Sequence, residues 1–320
     1  MTDRIAAEFC IRRAWNIRWA SRNDSVELAH KSLLLAKSLS PPTCVKIEGL
    51  AYRTLAWQSK WRGQFDICEG ECKRALSRLK RSRLWAAAAD VYSILGVLSY
   101  SRGRQDLARE NITLGYQMLE IEDNVSARID LLTTDATTLR YAKRYDTCQQ
   151  MLQKALDLSV GAERARVCHN IARSLDHLNN LSEALDNATL SVALARQFEN
   201  RVVLPYALEV LGTVLRNLGR PDEAIVHLAE GEEIGLADQD VRVTCQILQQ
   251  RAIIEEELGH HVDAFDAAKR GLAAARSMGY SLWEKKFLRH LAEMSEKQGY
   301  TGDALVAWKQ LFALETSELH

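Results

Sequence analysis

Apolar residues recur along this chain at the three- and four-residue spacing that places them on one face of an α-helix. Leu204, Leu208, Leu211 and Leu215 mark one such stripe, and Tyr92, Leu95 and Leu98 mark another. Charged and amide residues fill the positions between, so each stripe predicts a helix with one face to bury. The stripes and the breaks between them predict first helices over 3–20, 44–62, 84–102, 124–142, 162–178, 200–218, 240–258 and 281–298. Second helices are predicted over 24–39, 64–81, 104–121, 144–159, 181–197, 221–236, 261–277 and 301–318.

A second pattern, of small residues, repeats with a longer period. The breaks GQFDIC (63–68), GRQDLA (103–108), KRYDTC (143–148), NNLSEA (179–184), GRPDEA (219–224), GHHVDA (259–264) and GYTGDA (299–304) align on Cys68, Ala108, Cys148, Ala184, Ala224, Ala264 and Ala304. These positions are 40, 40, 36, 40, 40 and 40 residues apart, and Ala29 fits an earlier copy 39 residues upstream. Twelve residues before each of the seven stands Ala56, Gly96, Ala136, Ala172, Gly212, Ala252 or Ala292. A third slot reads Ala36, Ala75, Gly115, Ala155, Ser191, Gly231 and Gly271, and breaks only at Leu311. Three small positions per period predict close helix crossings, so each unit reads as two antiparallel helices. Gly63, Gly103, Gly219, Gly259 and Gly299 stand where the first helix should end in a left-handed cap, and Pro221 lies just inside a helix start. Unit boundaries fall at about 1–40, 41–82, 83–122, 123–160, 161–198, 199–238, 239–278 and 279–320.

This grammar resembles the tetratricopeptide repeat (TPR), most closely in LGVLSYSRGRQDLARENITLG (95–115) and LGTVLRNLGRPDEAIVHLAEG (211–231). The resemblance covers nearly the whole chain. It implies an all-α solenoid, a right-handed superhelix of about eight antiparallel helix pairs forming a single repeat domain over 1–320. Two departures stand out: the unit is about 40 residues rather than 34, and the usual proline ending the second helix is absent. Longer units are similar to those of bacterial MalT-like and Rap-like regulators. The Lys, Asn and Arg pattern with which chaperone-binding relatives clamp a carboxylate is incomplete here, so a chaperone tail is not the expected partner.

Composition narrows the function classes. Hydrophobic residues make up 47% and charged residues 26%, which suits a chain able to bury a continuous core. No apolar run approaches the roughly 18 residues a membrane span needs, and Asp3, Arg4 and Glu8 occupy the place of a signal peptide's apolar stretch, so a cytoplasmic location is expected. Seven cysteines without CxxC spacing predict reduced, packed thiols. Net charge is zero, yet residues 1–83 hold 17 Lys/Arg against 8 Asp/Glu. The basic run Lys73 to Arg83 closes a second helix, where the helix dipole favours cations, so nucleic acid is not the expected partner.

First helices of stacked pairs line the concave side, so their residues outside the small slots and apolar stripes are the candidates for binding. Those residues are Arg53, Trp57, Trp61, Arg140, Tyr141, Arg166, His169, Asn170, Arg173, Tyr206, Arg216, Asn217 and Gln249. Arg140, Arg173 and Arg216 fall at matched or adjacent positions of successive units, which predicts a central basic strip suited to carboxylates or phosphates. The amides could hydrogen-bond an extended backbone, and the aromatic residues could anchor side chains. The expected partner is therefore a protein or peptide, one with an acidic group suiting the strip.

No catalytic residue, metal or cofactor is expected. Cys68 and Cys72 read as packing, the His260, His261 and Asp263 turn lacks ligands at recognisable spacing, and no nucleophile elbow or phosphate loop accompanies His169, Asp176 and His177. The last helix carries Leu305, Trp308, Leu311, Phe312 and Leu314, which either finish the array or dock a second copy as a homodimer. The expected function is a scaffold or adaptor that binds a peptide or protein. The alternative, by analogy with bacterial signalling proteins, is a sensory module ahead of a diguanylate cyclase or a transcription-regulating domain.

Overall fold

The computed structural model describes residues 2–277, 279 and 281–317. It contains sixteen α-helices and, among the described residues, no strand. They are α1 (Thr2–Asn16), α2 (Arg22–Ala36), α3 (Thr43–Trp61), α4 (Phe65–Arg81), α5 (Trp85–Ser101), α6 (Gln105–Ile121), α7 (Val125–Tyr141) and α8 (Tyr145–Leu158). There follow α9 (Gly161–His177), α10 (Leu181–Gln197), α11 (Leu204–Asn217), α12 (Pro221–Ala237), α13 (Val241–Glu257), α14 (His261–Ser277), α15 (Ser281–Lys297) and α16 (Thr301–Ser317). The fold is the all-α, TPR-like solenoid of consecutive helix pairs that the repeat predicts.

The small slots are the reason the pairs close. Ala56, Ala172, Ala252 and Ala292 have no exposed surface, nor do Cys68, Ala184, Ala224 and Ala264. A β-carbon added at Gly212 would come within 2.7 Å of the Leu228 Cγ, and one added at Gly115 within 2.6 Å of a Leu131 methyl. Only the smallest residues allow these approaches, which explains the period seen in the sequence. First helices end alike: the amides of Gln64, Arg104, Arg144, Asn180, Arg220, His260 and Tyr300 each donate five residues back, to Ser59, Ser99, Leu139, Leu175, Leu215, Glu255 and Ser295. That 6→1 bond is the Schellman cap, and it needs a left-handed residue just before it. Gly63, Gly103, Gly219, Gly259 and Gly299 supply it, while Lys143 and Asn179 adopt the same positive φ without being glycine.

The chain divides into two compact units, Met1–Ala207 and Leu208–His320. In the first, α1, α3, α5, α7 and α9 each touch the next, which puts first helices on the inner side. In the second, α12 to α16 pack in sequence order. Two boundaries depart from the sequence prediction by more than three residues. Helix α1 stops at Asn16 rather than 20, giving way to a turn over 17–20, and α11 starts at Leu204 rather than 200. These two departures meet in space: the Val202 amide donates to the Trp19 carbonyl at 3.2 Å.

Candidate functional site

The inner side of Met1–Ala207 has two parts. The first is filled by the turn after α1. Trp19 stands edge-on to Trp57, 4.5 Å between ring centroids, and also meets Trp61 at 6.3 Å. Trp61 continues the contact to Tyr206 at 5.2 Å, and Tyr206 lies 6.0 Å from His169. Trp57 is only 2% exposed. The Arg18 guanidinium lies 4.0 Å over Trp15, and Arg53 covers the same ring at 3.6 Å. Arg166 lies 5.4 Å from Trp19. The Gln58 amide donates to Ser25 Oγ at 3.0 Å and towards the Arg18 carbonyl at 3.4 Å. The indole N–H groups of Trp19 and Trp61 are buried without an acceptor.

Charge is built into this part. Arg53 donates to Asp90 at 2.9 Å. Arg166 pairs with Asp130 and donates to Thr133 Oγ1 at 2.7 Å. Burial pushes the Asp90 carboxyl up to about 6 despite Arg53, and pulls Arg53 down by the same desolvation. Arg18 is lowered to about 10 by burial, with Asp130 and Asp90 opposing the shift.

The second part is open. At the C-terminal ends of α5, α7 and α9, Tyr100 and Tyr141 stack at 4.6 Å and 20°, and Arg140 lies 4.6 Å over Tyr141. Arg140 Nη1 reaches His177 Nε2 at 3.3 Å, and Tyr145 stacks on the His177 ring at 6.0 Å. Tyr141 is 45% exposed. Burial lowers the Arg140 guanidinium, and Arg173 lowers it further by like charge; burial and Arg140 likewise lower His177. Such a ladder combines planar, pre-stacked rings with a guanidinium that can meet a carboxylate.

The other sequence candidates spread more widely. Asn170 donates to the Arg166 carbonyl at 2.9 Å, so its amide serves its own helix. Arg216, in the second unit, bonds Gln250 at 3.1 Å and Glu257 at 3.2 Å, while Gln249 is half-buried on α13. Asn217 ends α11. In the first unit, then, Arg53, Trp57, Trp61, Arg166, His169 and Tyr206 come together, and Arg140 gathers with Tyr141 and within the field of Arg173. The Trp19 turn is packed onto the first group.

Cys68 and Cys72 are fully buried, with Cys68 donating to the Ala56 carbonyl at 3.3 Å. His260 bonds Glu255 at 2.9 Å, and these two with Asp263 bring ligand atoms within 4.8 Å of one another. Leu311 packs inward on α16, whereas Leu305 and Phe312 face out. A 470 Å³ cleft between α6, α7 and α8 is lined by Tyr116, Leu132 and Asp135 among others; burial pushes the pKa of both Tyr116 and Asp135 up, so both hold their protons more tightly.

Trp15, Arg18 and Trp19 were not among the sequence candidates. One signal pointed at them: twelve residues before Ala29 stands Ile17, where seven other units have alanine or glycine. A branched side chain there forbids the regular crossing, and the helix ends one residue earlier.

No protein-family model matches this sequence, and no curated protein matches it. Solved structures do share the fold. A Rap protein complexed with competence and sporulation factor superposes with a TM-score of 0.73 at 13% identity, covering 98% of this chain and 85% of that one. The apo form of the quorum sensor NprR from B. thuringiensis gives 0.63 at 14% identity, over 98% and 88%. The Rap conjugation gene regulator of plasmid pLS20, in complex with the Phr* peptide, gives 0.63 at 13% identity, over 91% and 85%. No described helix is long and apolar enough to cross a membrane.

Proposed function

We propose that this chain is a peptide-binding regulatory adaptor that acts by recognition rather than by catalysis, with the inner side of Met1–Ala207 as its recognition surface. The observation that carries the reading is the ladder of Tyr100, Tyr141, Arg140, His177 and Tyr145, in which Tyr141 and His177 are exposed and Arg140 is buried beneath them. Stacked rings on rigid helix ends lose little freedom on binding, and a guanidinium held among them offers directional bonds to a carboxylate. Arg140 and Arg173 form the basic strip of this unit, and the ligand group it suits is acidic. The shared fold of the Rap and NprR structures, two of them described with peptides or as a quorum sensor, supports a peptide as the ligand class.

The test is fluorescence anisotropy with a labelled library of short acidic and neutral peptides, using the wild type and Arg140→Glu/Arg173→Glu. Acidic members should bind the wild type and weaken roughly tenfold or more with the variant, because reversal replaces attraction by repulsion. Equal binding to both proteins would remove the ladder from the function.

A further inference from the structure

We infer that the segment from Trp15 to Ala20, the last residues of α1 and the turn after it, is a built-in occupant of the inner face, and that the ligand admitted in its place is a peptide carrying an aromatic side chain beside an arginine. This rests on the reading that the inner side binds peptides, and adds a second peptide, different in chemistry from the acidic one at the Arg140 ladder, together with its control.

The inner face is shaped for an aromatic guest. Trp57 and Trp61 both meet Trp19 edge-on, and Tyr206 backs Trp61. The face is also shaped for a guanidinium. Arg18 is buried, its guanidinium 5.8 Å over the Trp57 ring, and the Arg53–Asp90 and Arg166–Asp130 ion pairs are buried on the same face. A guest guanidinium can stack on that ring as Arg18 does, whereas an acidic side chain would meet the face of an aromatic ring and gain no such contact.

The turn is held as a bound peptide would be held. Its backbone makes one bond from Val202 to the Trp19 carbonyl and one from Gln58 to the Arg18 carbonyl, and its side chains do the rest. Most of it lies outside the regular repeat, since α1 ends at Asn16 and α2 begins at Arg22. Its fit is also imperfect: the buried indole N–H groups of Trp19 and Trp61 find no acceptor. A guest that brings a carbonyl to either one removes a cost the turn cannot, which lets a ligand in solution compete with a tethered occupant.

The probe is a labelled nonapeptide matching residues 14–22, AWNIRWASR, added to the full chain. The Arg18→Ala/Trp19→Ala variant, with its helicity verified by circular dichroism, should bind it roughly tenfold or more tightly than the wild type, because the wild-type site is already filled. A peptide with both tryptophans changed to alanine and the arginine matching Arg18 changed to glutamate should bind neither. Equal affinity of variant and wild type for the nonapeptide would overturn the inference. Should the double variant not fold, the wild type is labelled with 5-fluorotryptophan, the Trp19 resonance being assigned with Trp19→Phe. Saturating nonapeptide should then move that resonance to its solvent-exposed position, and an unmoved resonance would overturn the inference equally. Binding of acidic peptides at the Arg140 ladder is read separately, so the loss of either result leaves the other standing.

Discussion

Gly271 shows how much one side chain can decide. A β-carbon there would clash with the tip of the Phe287 ring, which is fully buried. Gly271→Ala gains helix propensity but overpacks, so chemical denaturation should show a net loss of about 1–3 kcal/mol. Adding Phe287→Leu should return part of it, as a double-mutant cycle would report. Asp90 makes a second residue-scale case. An unfolded aspartate loses its proton near its ordinary value of 3.8, whereas the buried Asp90 keeps it to about 6. Between those values the native state holds a proton that the unfolded chain has lost. The contribution of this group to stability is therefore fullest below the lower value and falls as pH rises through the window, by on the order of 2–3 kcal/mol. In thermal melts the difference between wild type and Asp90→Asn should carry that fall, and a difference that is flat or rises with pH would contradict it. The small slots around Gly271 were legible in the sequence because close crossings leave no choice of residue. The partners of Asp90 were not, since Arg53 and Arg18 reach it only through the fold.

At the scale of the element, helix ends were the most legible feature, because a Schellman cap demands a left-handed residue and glycine announces it. Lys143 shows the same geometry without the announcement. It holds φ 57 where Gly103 and Gly219 hold φ 72 and 74, and its amide still donates to the Arg140 carbonyl at 3.0 Å. A side chain in that region carries a cost of roughly 1–2 kcal/mol that glycine avoids, less the backbone freedom glycine loses on folding. Lys143→Gly should accordingly stabilise the protein by about 0.5–1 kcal/mol in a denaturant titration, with no change in helix content. The α7 start offers a matching loss. Asn124 accepts from the Ala127 amide at 3.0 Å, and Asn124→Ala should cost about 1 kcal/mol. The two boundaries that sequence periodicity misplaced, the end of α1 and the start of α11, are those where chain segments far apart in sequence touch. Local pattern carries no information about such a contact. The same blindness extends to the candidate site: the period identified the inward positions of α3, α7 and α9, but it could not say that Trp19 would cover some of them and leave the Tyr141 ladder open.

For the molecule, the contact between the Trp19 turn and residues 200–206 changes what kind of object Met1–Ala207 is. A plain stack of helix pairs is nearly one-dimensional: each pair feels only its neighbours, and damage to one loosens those beside it. Here the first pair also touches the segment leading into α11, with Trp19 packed among Ala165, Ala195 and Val203 and bonded to Val202. Asn200 props the far side of that contact. It is buried, accepts from the Val203 amide at 3.1 Å and donates towards the Ala162 carbonyl at 3.3 Å. Asn200→Ala should therefore loosen two places at once. Hydrogen exchange should quicken at 198–206, as any stack would show, and also at 15–22, which a stack coupled only through neighbours would leave unchanged. Faster exchange confined to the first segment would mean that the closing contact adds nothing to stability and that the Trp19 turn is held by α3 alone. Faster exchange at both would mean that whatever displaces the turn also frees the entrance to α11, and so gives a bound peptide a mechanical consequence within this unit.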